Sequence, residues 1–409
     1  MRDSSPTLRP WRINGLAALF FMLCTAGCTP VATDAKIGSA LPSPIDTASG
    51  NVRGYWWRET GDRVLADLVD AGLARDRQMT CEVLALDRET TRAAARAKRL
   101  DVRIGRLFGA RDGAAERAVR RAHAYRHAAH RARLAARIAQ GYLEVRRLQE
   151  VLALREALQT QFADNGEIAA FRREAGLVSG IDTGLAGSLL AVSATERDTT
   201  RTRYVQALAR LAGLTHTDTA ALERMLGQEG KVPDIGTEPG GAGKADLVRR
   251  PDLLALRLKL TAQLIRKGLA PDVLDASGGG DDGGDEAFAD AVRASYRKAQ
   301  ERARMEISRA NDAVAVAGKH EADLAREGLQ ARRTVEDARL GYRLGTEDFA
   351  TLFVAEAAAL AVEEARVTAR ADLAEATIRM WTGLGGGWED EDLAPQVLAQ
   401  DTSEVPVCE

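Results

Sequence analysis

The chain has 409 residues, of which 45% are hydrophobic and only 5% are aromatic, and its 57 basic and 59 acidic residues leave a formal net charge of −2. This balance excludes a chain that is basic throughout, as many nucleic-acid-binding proteins are. Alanine and arginine are abundant and long stretches lack both glycine and proline, which favours long helices over a compact globular core.

Residues 1–27 have the features of a lipoprotein signal peptide. Basic residues precede a short apolar run, Ile13 to Leu23, that is too brief to span a bilayer as a mature helix. The run leads into Thr25-Ala26-Gly27-Cys28, and small residues directly before a cysteine resemble a lipoprotein cleavage box. We therefore expect Cys28 to be acylated and to become the new N-terminus. The alternative is an ordinary secretory signal with a chance cysteine.

Residues 28–61 are then expected to form an extended anchor segment. No later stretch approaches the ~18 uninterrupted apolar residues of a membrane helix, so acyl chains would tether the mature protein. Cys81 and Cys408 would be the only cysteines left to pair. Their spacing predicts neither a disulfide framework nor a pair of metal ligands.

Residues 62–230 predict a first helical-hairpin repeat. Apolar residues recur at three- and four-residue steps over 62–99 and again over 114–164, which places them on one helical face. A helix as long as the second cannot belong to a small globule. Small residues interrupt the pattern over 176–180 before a further helix over 181–211, so the chain reverses there as an αα-hairpin, and a short helix follows over 219–226.

Residues 246–388 predict a second repeat, after a Pro/Gly-rich linker over 231–245. Its helices are expected over 245–274, 285–340 and 348–381, and an acidic disordered tail is expected over 389–409. The two copies align at residue level, since Ala186 follows Gly176 by ten positions and Ala355 follows Gly345 by ten. The predicted fold is mainly α, with two tandem long helical hairpins in a coiled-coil or α-barrel protomer.

Three short motifs, in the right order along the chain, resemble the lipoprotein branch of the TolC-like outer membrane factors. Trp56-Trp57-Arg58 is similar to the family's start after its lipidated N-terminus, and Leu384-Gly385-Gly386-Gly387-Trp388 to its C-terminal end. The second repeat opens with a similar motif, made of Arg249, Arg250, Pro251 and Asp252. The resemblance implies a homotrimer in the outer membrane, mostly periplasmic, that works with a periplasmic adaptor and an inner-membrane pump.

The resemblance also implies roles for the two hairpin tips, which in that family contact the adaptor and form the gated end. The positions carried over by motif are Ala175, Gly176, Leu177 and Ser179 in the first repeat, and Arg343, Leu344, Gly345 and Thr346 in the second. Asp182 matches a gate aspartate of the family, but Thr351 occupies the equivalent place in the second repeat, which puts an acidic gate ring in doubt.

The chain departs from the family where each repeat should carry two transmembrane β-strands. Only Leu100, Val102 and Ile104 alternate with polar residues in the first repeat, and the second has a Gly/Asp loop over 277–286. A lipid-facing strand cannot be built from Gly and Asp, so we expect vestigial or absent strands. Whether that loop replaces a deleted strand hairpin stays open.

Other candidate sites favour simple interpretations. His123, His127 and His130 share one helical face, but surrounding arginines repel cations, so a solvated face is expected and no metal site. The basic region from Arg88 to Arg147 is expected to be solvated or to meet anionic lipid headgroups rather than nucleic acid, since aromatic residues are not interleaved.

No catalytic motif, phosphate loop or cofactor fingerprint is present in the sequence, so the chain is expected not to be an enzyme and to need no cofactor. The sequence thus supports an exit-duct channel of a tripartite export system. The alternative is a degenerate, non-channel periplasmic lipoprotein that acts as a scaffold.

Overall fold

The computed structural model describes residues 54–99, 113–176, 180–236, 247–275, 284–393 and Cys408. In that part the chain is helical almost throughout. The α-helices are α1 (Arg63–Arg75), α2 (Arg77–Ala97), α3 (Ala114–Glu174), α4 (Gly180–Thr215), α5 (Thr219–Leu226), α6 (Pro251–Arg266), α7 (Gly284–Leu344) and α8 (Phe349–Gly383). Short 3-10 helices lie at Trp56–Arg58, Leu247–Arg249, Pro271–Leu274 and Asp390–Leu393.

The long helices form two antiparallel hairpins, α3 with α4 and α7 with α8, as the internal repeat predicts. Helices α3 and α7 have 61 residues each, which corresponds to a length of about 90 Å at 1.5 Å per residue. Each hairpin turns at a glycine with positive φ, Gly176 at +72° and Gly345 at +74°. Glycine adopts that conformation without the penalty that a Cβ would bring.

Aspartate side chains begin several of the helices. Asp62 accepts a hydrogen bond from the backbone of Leu65 at the start of α1, and Asp76 accepts one from Met79 at the start of α2. Such a cap satisfies a backbone N–H that has no partner within the helix. The cap at Asp76 divides the stretch predicted as one helix over 62–99 into two, although no glycine or proline stands there.

The main core lies between the paired helices and the N-terminal residues that follow residue 53. Trp56, Trp57, Leu65 and Leu68 are fully buried and pack with apolar residues of α3, α4 and α8. One polar network crosses this core, in which the Tyr142 hydroxyl donates to Asp62 at 2.6 Å. The core therefore joins the two repeats into one body.

The described residues of the C-terminal region, 389–393 and Cys408, differ from the disordered tail predicted over 389–409. Residues Asp390–Leu393 form a 3-10 helix in which Asp392 is buried and accepts a hydrogen bond from Tyr55. Cys408 forms a disulfide with Cys81 of α2, across 327 positions of the chain. The spacing of the two cysteines predicts no disulfide framework, and this single disulfide is not predicted because the contact is set by tertiary structure and leaves no local pattern in the sequence.

Some predicted features lie outside the described residues. These are the signal peptide and Cys28, the strand-like segment of the first repeat, most of the Gly/Asp loop, and the tip residues Leu177 and Ser179. Among the helices that the structure does describe, none carries an apolar stretch sufficient to cross a bilayer.

Candidate functional site: the paired hairpin tips

The second hairpin tip is a tight turn closed by its own backbone. The amide of Thr346 donates to the carbonyl of Gly341 at 2.9 Å, and the Thr346 hydroxyl donates to the same oxygen at 3.1 Å. Asp348 then caps α8 by accepting from the Thr351 amide at 2.7 Å. That hydrogen bond lowers the pKa of Asp348, so the cap stays ionised over the neutral range.

The first hairpin tip is described on both sides of residues 177–179, which lie outside the described part of the chain. Ala175 and Gly176 end that helix through backbone hydrogen bonds to Phe171 and Arg173. Asp182 lies in the first turn of α4, and the direction of its side chain is outside the described part of the structure. Its gate role therefore stays a prediction.

The two tips pack against each other. Ala186 of the first hairpin belongs to a buried cluster with Tyr342, Phe349, Leu352 and other residues of the second hairpin. The predicted tip residues that the structure describes, Ala175 and Gly176 in the first repeat and Arg343 to Thr346 in the second, are thus brought to one end of the molecule.

Arg172 of α3 links the two tips by polar contacts. Its guanidinium donates to the carbonyl of Tyr342 at 3.0 Å and lies 5.0 Å from the centre of the Tyr342 ring. It also approaches Gly345, where a Cβ would meet the guanidinium at 3.2 Å. No local sequence pattern singles out Arg172, because its partner lies 170 residues further along the chain.

Large apolar side chains surround the joined tips and are open to solvent. Phe171, Ile181 and Leu344 are 72%, 78% and 70% exposed. Leu344 was among the predicted tip positions, whereas the other two were not. Exposed apolar residues grouped at one end of a molecule are typical of a surface that meets another protein.

Further from the tips, polar contacts join α3 to the second hairpin. Glu356 of α8 is buried and accepts from Asn165 of α3 at 3.0 Å and from Arg339 of α7 at 2.9 Å. One step further from the tips, Arg155 forms a bidentate pair with Glu364, at 2.6 and 3.0 Å. These contacts fix the register between the two repeats.

The repeat-start motif has a structural role at the opposite end of α8. Arg249 donates to the carbonyl of Trp388 at 3.3 Å, and the Trp388 indole donates back to the carbonyl of Arg249 at 3.2 Å. Arg250 forms ion pairs with Asp252 and Glu306, and Pro251 occupies the first turn of α6. The start of the second repeat is thereby fastened to the C-terminal glycine motif.

The histidine face is not the solvated face that the sequence predicts. His127 is buried, and the Nδ1 atoms of His127 and His130 lie 3.0 and 3.3 Å from one carboxylate oxygen of Glu82 on α2. His123 lies 3.1 Å from Glu89 in the same way. Burial raises the pKa of Glu82, but the hydrogen bonds with His127 and its neighbours lower it by more. The described residues include no group of three or more His, Cys, Asp or Glu placed to hold a metal.

The fold of this chain matches that of solved outer-membrane channels. The outer-membrane channel OprN superposes with a TM-score of 0.68 at 21% identity, over 86% of this chain and 96% of OprN. The CmeC channel of Campylobacter jejuni gives 0.67 at 16% identity, over 87% and 95% of the two chains. The MtrE channel of Neisseria gonorrhoeae, solved in an open state, gives 0.64 at 17% identity, over 84% and 94%.

No protein-family model matches the sequence, and no curated protein matches it either. The structural matches nonetheless extend over nearly the whole of each channel chain. The predicted resemblance is confirmed at the level of the fold: this chain has the architecture of the TolC-like outer-membrane channels.

Proposed function

We propose that the protein is the outer-membrane exit duct of a tripartite export system and passes solutes outward without catalysing a reaction. In this proposal three copies assemble side by side, Cys28 carries an acyl anchor, and the hairpin tips meet a periplasmic adaptor that connects to an inner-membrane pump. The observation that carries the proposal is the joining of two hairpins, each with one helix about 90 Å long, into one body whose tips lie together.

Assembly into a trimer is supported by apolar side chains on the outer faces of the hairpins. Val192 and Val205 of α4 are more than half exposed, as are Val316 and Leu329 of α7. Long helices need packing partners on their apolar positions to be stable in water. Neighbouring copies of the same chain would cover these positions in a closed ring.

The adaptor contact is supported by the exposed apolar residues at the tips. Phe171, Ile181 and Leu344 leave a large apolar surface around the two turns. Duct opening would require the tips to repack between two arrangements. The contact of Arg172 with Tyr342 is one that such a movement would change.

The second candidate is a scaffold that keeps the hairpins but has lost the pore. The specific observation in its favour is the sequence of the loop over 277–286, whose Gly and Asp residues do not suit a lipid-facing strand. A scaffold would retain the tip surface and the anchor.

Conductance separates the two candidates. Trimers extracted from outer membranes and inserted into planar bilayers should give discrete current steps if the protein is a duct. Folded trimers that insert and give no current would refute the duct and leave the scaffold.

The anchor has an independent test in cell fractionation. Cys28→Ser should release the protein from the outer-membrane fraction if acylation tethers it. Cys24→Ser, which changes a cysteine of the predicted signal peptide, is the matched control and should leave fractionation unchanged. Retention of the Cys28→Ser protein in the outer membrane would contradict the acyl anchor.

A further inference from the structure

A groove runs between α2, α3 and α6 at the end of α3 that is opposite to the hairpin tips. It consists of two adjoining clefts of about 780 and 720 Å³. They share Glu89, Val119 and Arg266 as lining residues, so they form one continuous groove along the surface. We name it the basic groove.

The floor of the basic groove is shallow and apolar because small side chains line it. Ala122 and Ala129 of α3 and Ala255 of α6 are buried there, beside Leu86 of α2. Long side chains on either side of this floor reach past it toward solvent. The groove therefore has an apolar base and a charged rim.

The rim carries cations that have no counter-charge from the described residues. Seven residues that line the two clefts have side chains that make no hydrogen bond or ion pair with the described part of the chain: Arg92, Arg96, Arg120, Arg126, Arg133, Lys259 and Arg266. All but the half-buried Arg120 are exposed.

The carboxylates of the groove are already engaged, with one exception. Glu82 contacts two histidines, Glu89 contacts His123, and Asp252 pairs with Arg250. Only Glu116 lines the groove without such a contact among the described residues. The chain as a whole carries a net charge of −2, so this excess of positive charge does not come from a chain that is basic throughout.

The groove lies at the end of the molecule that is far from the hairpin tips. It includes Gly113, the residue just before α3, and the tip end of α3 at Glu174 is 61 residues away, or about 90 Å along the helix axis. If the protein is placed in the outer membrane as proposed above, with its tips in the periplasm, the groove faces the membrane end.

We propose that the basic groove binds an anionic phospholipid, with its phosphate headgroup held by the rim arginines and part of an acyl chain on the alanine floor. Arginine suits phosphate because its planar guanidinium donates two parallel hydrogen bonds. A charged rim above an apolar base matches an amphiphile better than it matches a free phosphate. The placement at the membrane end rests on the proposed function, whereas the binding itself does not.

The test is calorimetric titration of the full-length protein in a maltoside detergent with dioctanoyl phosphatidylglycerol. Saturable binding is expected, with no binding of dioctanoyl phosphatidylcholine, whose headgroup has no net charge, and much weaker binding of glycerol phosphate, which has no acyl chain. Equal binding of the two lipids would overturn the proposal. Glycerol phosphate binding as tightly as the anionic lipid would also overturn it, in favour of a free-phosphate site.

A triple substitution, Arg92→Gln, Arg96→Gln and Arg120→Gln, tests whether the lipid binds in the basic groove. Each cation near an anionic lipid headgroup strengthens binding about fivefold, so the triple variant should bind the lipid about 100-fold more weakly than the wild type. The matched control removes the same charge from α7, where Arg304, Arg309 and Arg333 are exposed and make no ion pair with the described residues. The control should bind like the wild type. Equal weakening in both variants would mean attraction by net charge alone and would overturn the groove assignment.

Further outcomes separate lipid binding in the groove from a folding defect, from a subunit interface and from the duct proposal. If the triple variant fails to fold, Arg96→Gln alone should still weaken binding by about fivefold, and unchanged affinity would overturn the proposal. If the wild type binds no lipid and the triple substitution dissociates the trimer, the groove is a subunit interface instead. A protein that conducts but binds no lipid refutes the groove alone, whereas one that binds lipid but gives no current refutes only the duct.

Discussion

The disulfide between Cys81 and Cys408 closes a loop of 327 residues, so its removal should have a large effect on stability. In the chain-entropy description a cross-link restricts the unfolded chain, and the free energy grows with the logarithm of loop length, from about 4.7 kcal/mol for a 100-residue loop to roughly 5–6 kcal/mol here. With an unfolding entropy of about 2.1 cal/mol/K per residue, Cys408→Ser should lower Tm by roughly 6 °C.

The assay is thermal unfolding followed by circular dichroism, with and without a reducing agent. Reductant should lower the Tm of the wild type to that of Cys408→Ser and should leave the variant itself unchanged. Thiol titration of the unfolded, unreduced mature protein provides the check. Two free thiols in that titration, or a wild-type Tm that does not respond to reduction, would refute the reasoning.

Three more substitutions test the packing. Gly387→Ala should destabilise the protein by about 2–4 kcal/mol in denaturant unfolding. The reason is that the φ of Gly387 is +100° and a Cβ there would meet Ala132 at 2.9 Å. A variant as stable as the wild type would contradict this close approach. Glu356→Ala should destabilise the protein by about 1–3 kcal/mol, since it removes a buried carboxylate that accepts hydrogen bonds from the half-buried side chains of Asn165 and Arg339. An unchanged denaturation midpoint would show that the contact with α3 does not contribute to stability. Burial raises the pKa of Asp252, but Arg250 lowers it by more, to below the usual 3.8. A lowered pKa stabilises the fold above pH 3.8, so the stability lost in Asp252→Asn at neutral pH should shrink as the pH falls below about 4. A constant difference across pH would contradict the ion pair.

The sequence predicts the helices of this fold well because their apolar periodicity is long and nearly uninterrupted. The predicted break at Gly345 coincides with the observed turn, and the predicted short helix at Thr219–Leu226 has the observed bounds. The interruption at Asp76 is not predicted, because an aspartate cap needs no glycine or proline and the apolar pattern continues through it.

Contacts between distant segments account for what the sequence does not predict. His127 is buried because Glu82 on α2 faces it, and those residues are 45 positions apart. In the same way, the partner of Arg172 at the tips belongs to the other repeat. Periodicity specifies which side of a helix is apolar, but it does not specify which residue of another helix lies opposite.

Single-channel conductance of the wild type beside Arg172→Ala tests most directly whether the chain is a duct closed at its hairpin tips. Arg172 contacts the other hairpin. The side chain of its neighbour Arg173 donates a hydrogen bond to Thr183 of its own hairpin and, among the described residues, makes no hydrogen bond or ion pair with the other hairpin, so Arg173 provides the matched control. A small wild-type conductance is expected, with larger steps in Arg172→Ala and none beyond wild type in Arg173→Ala. Intact trimers of all three proteins that insert into the bilayer and pass no current would contradict the duct.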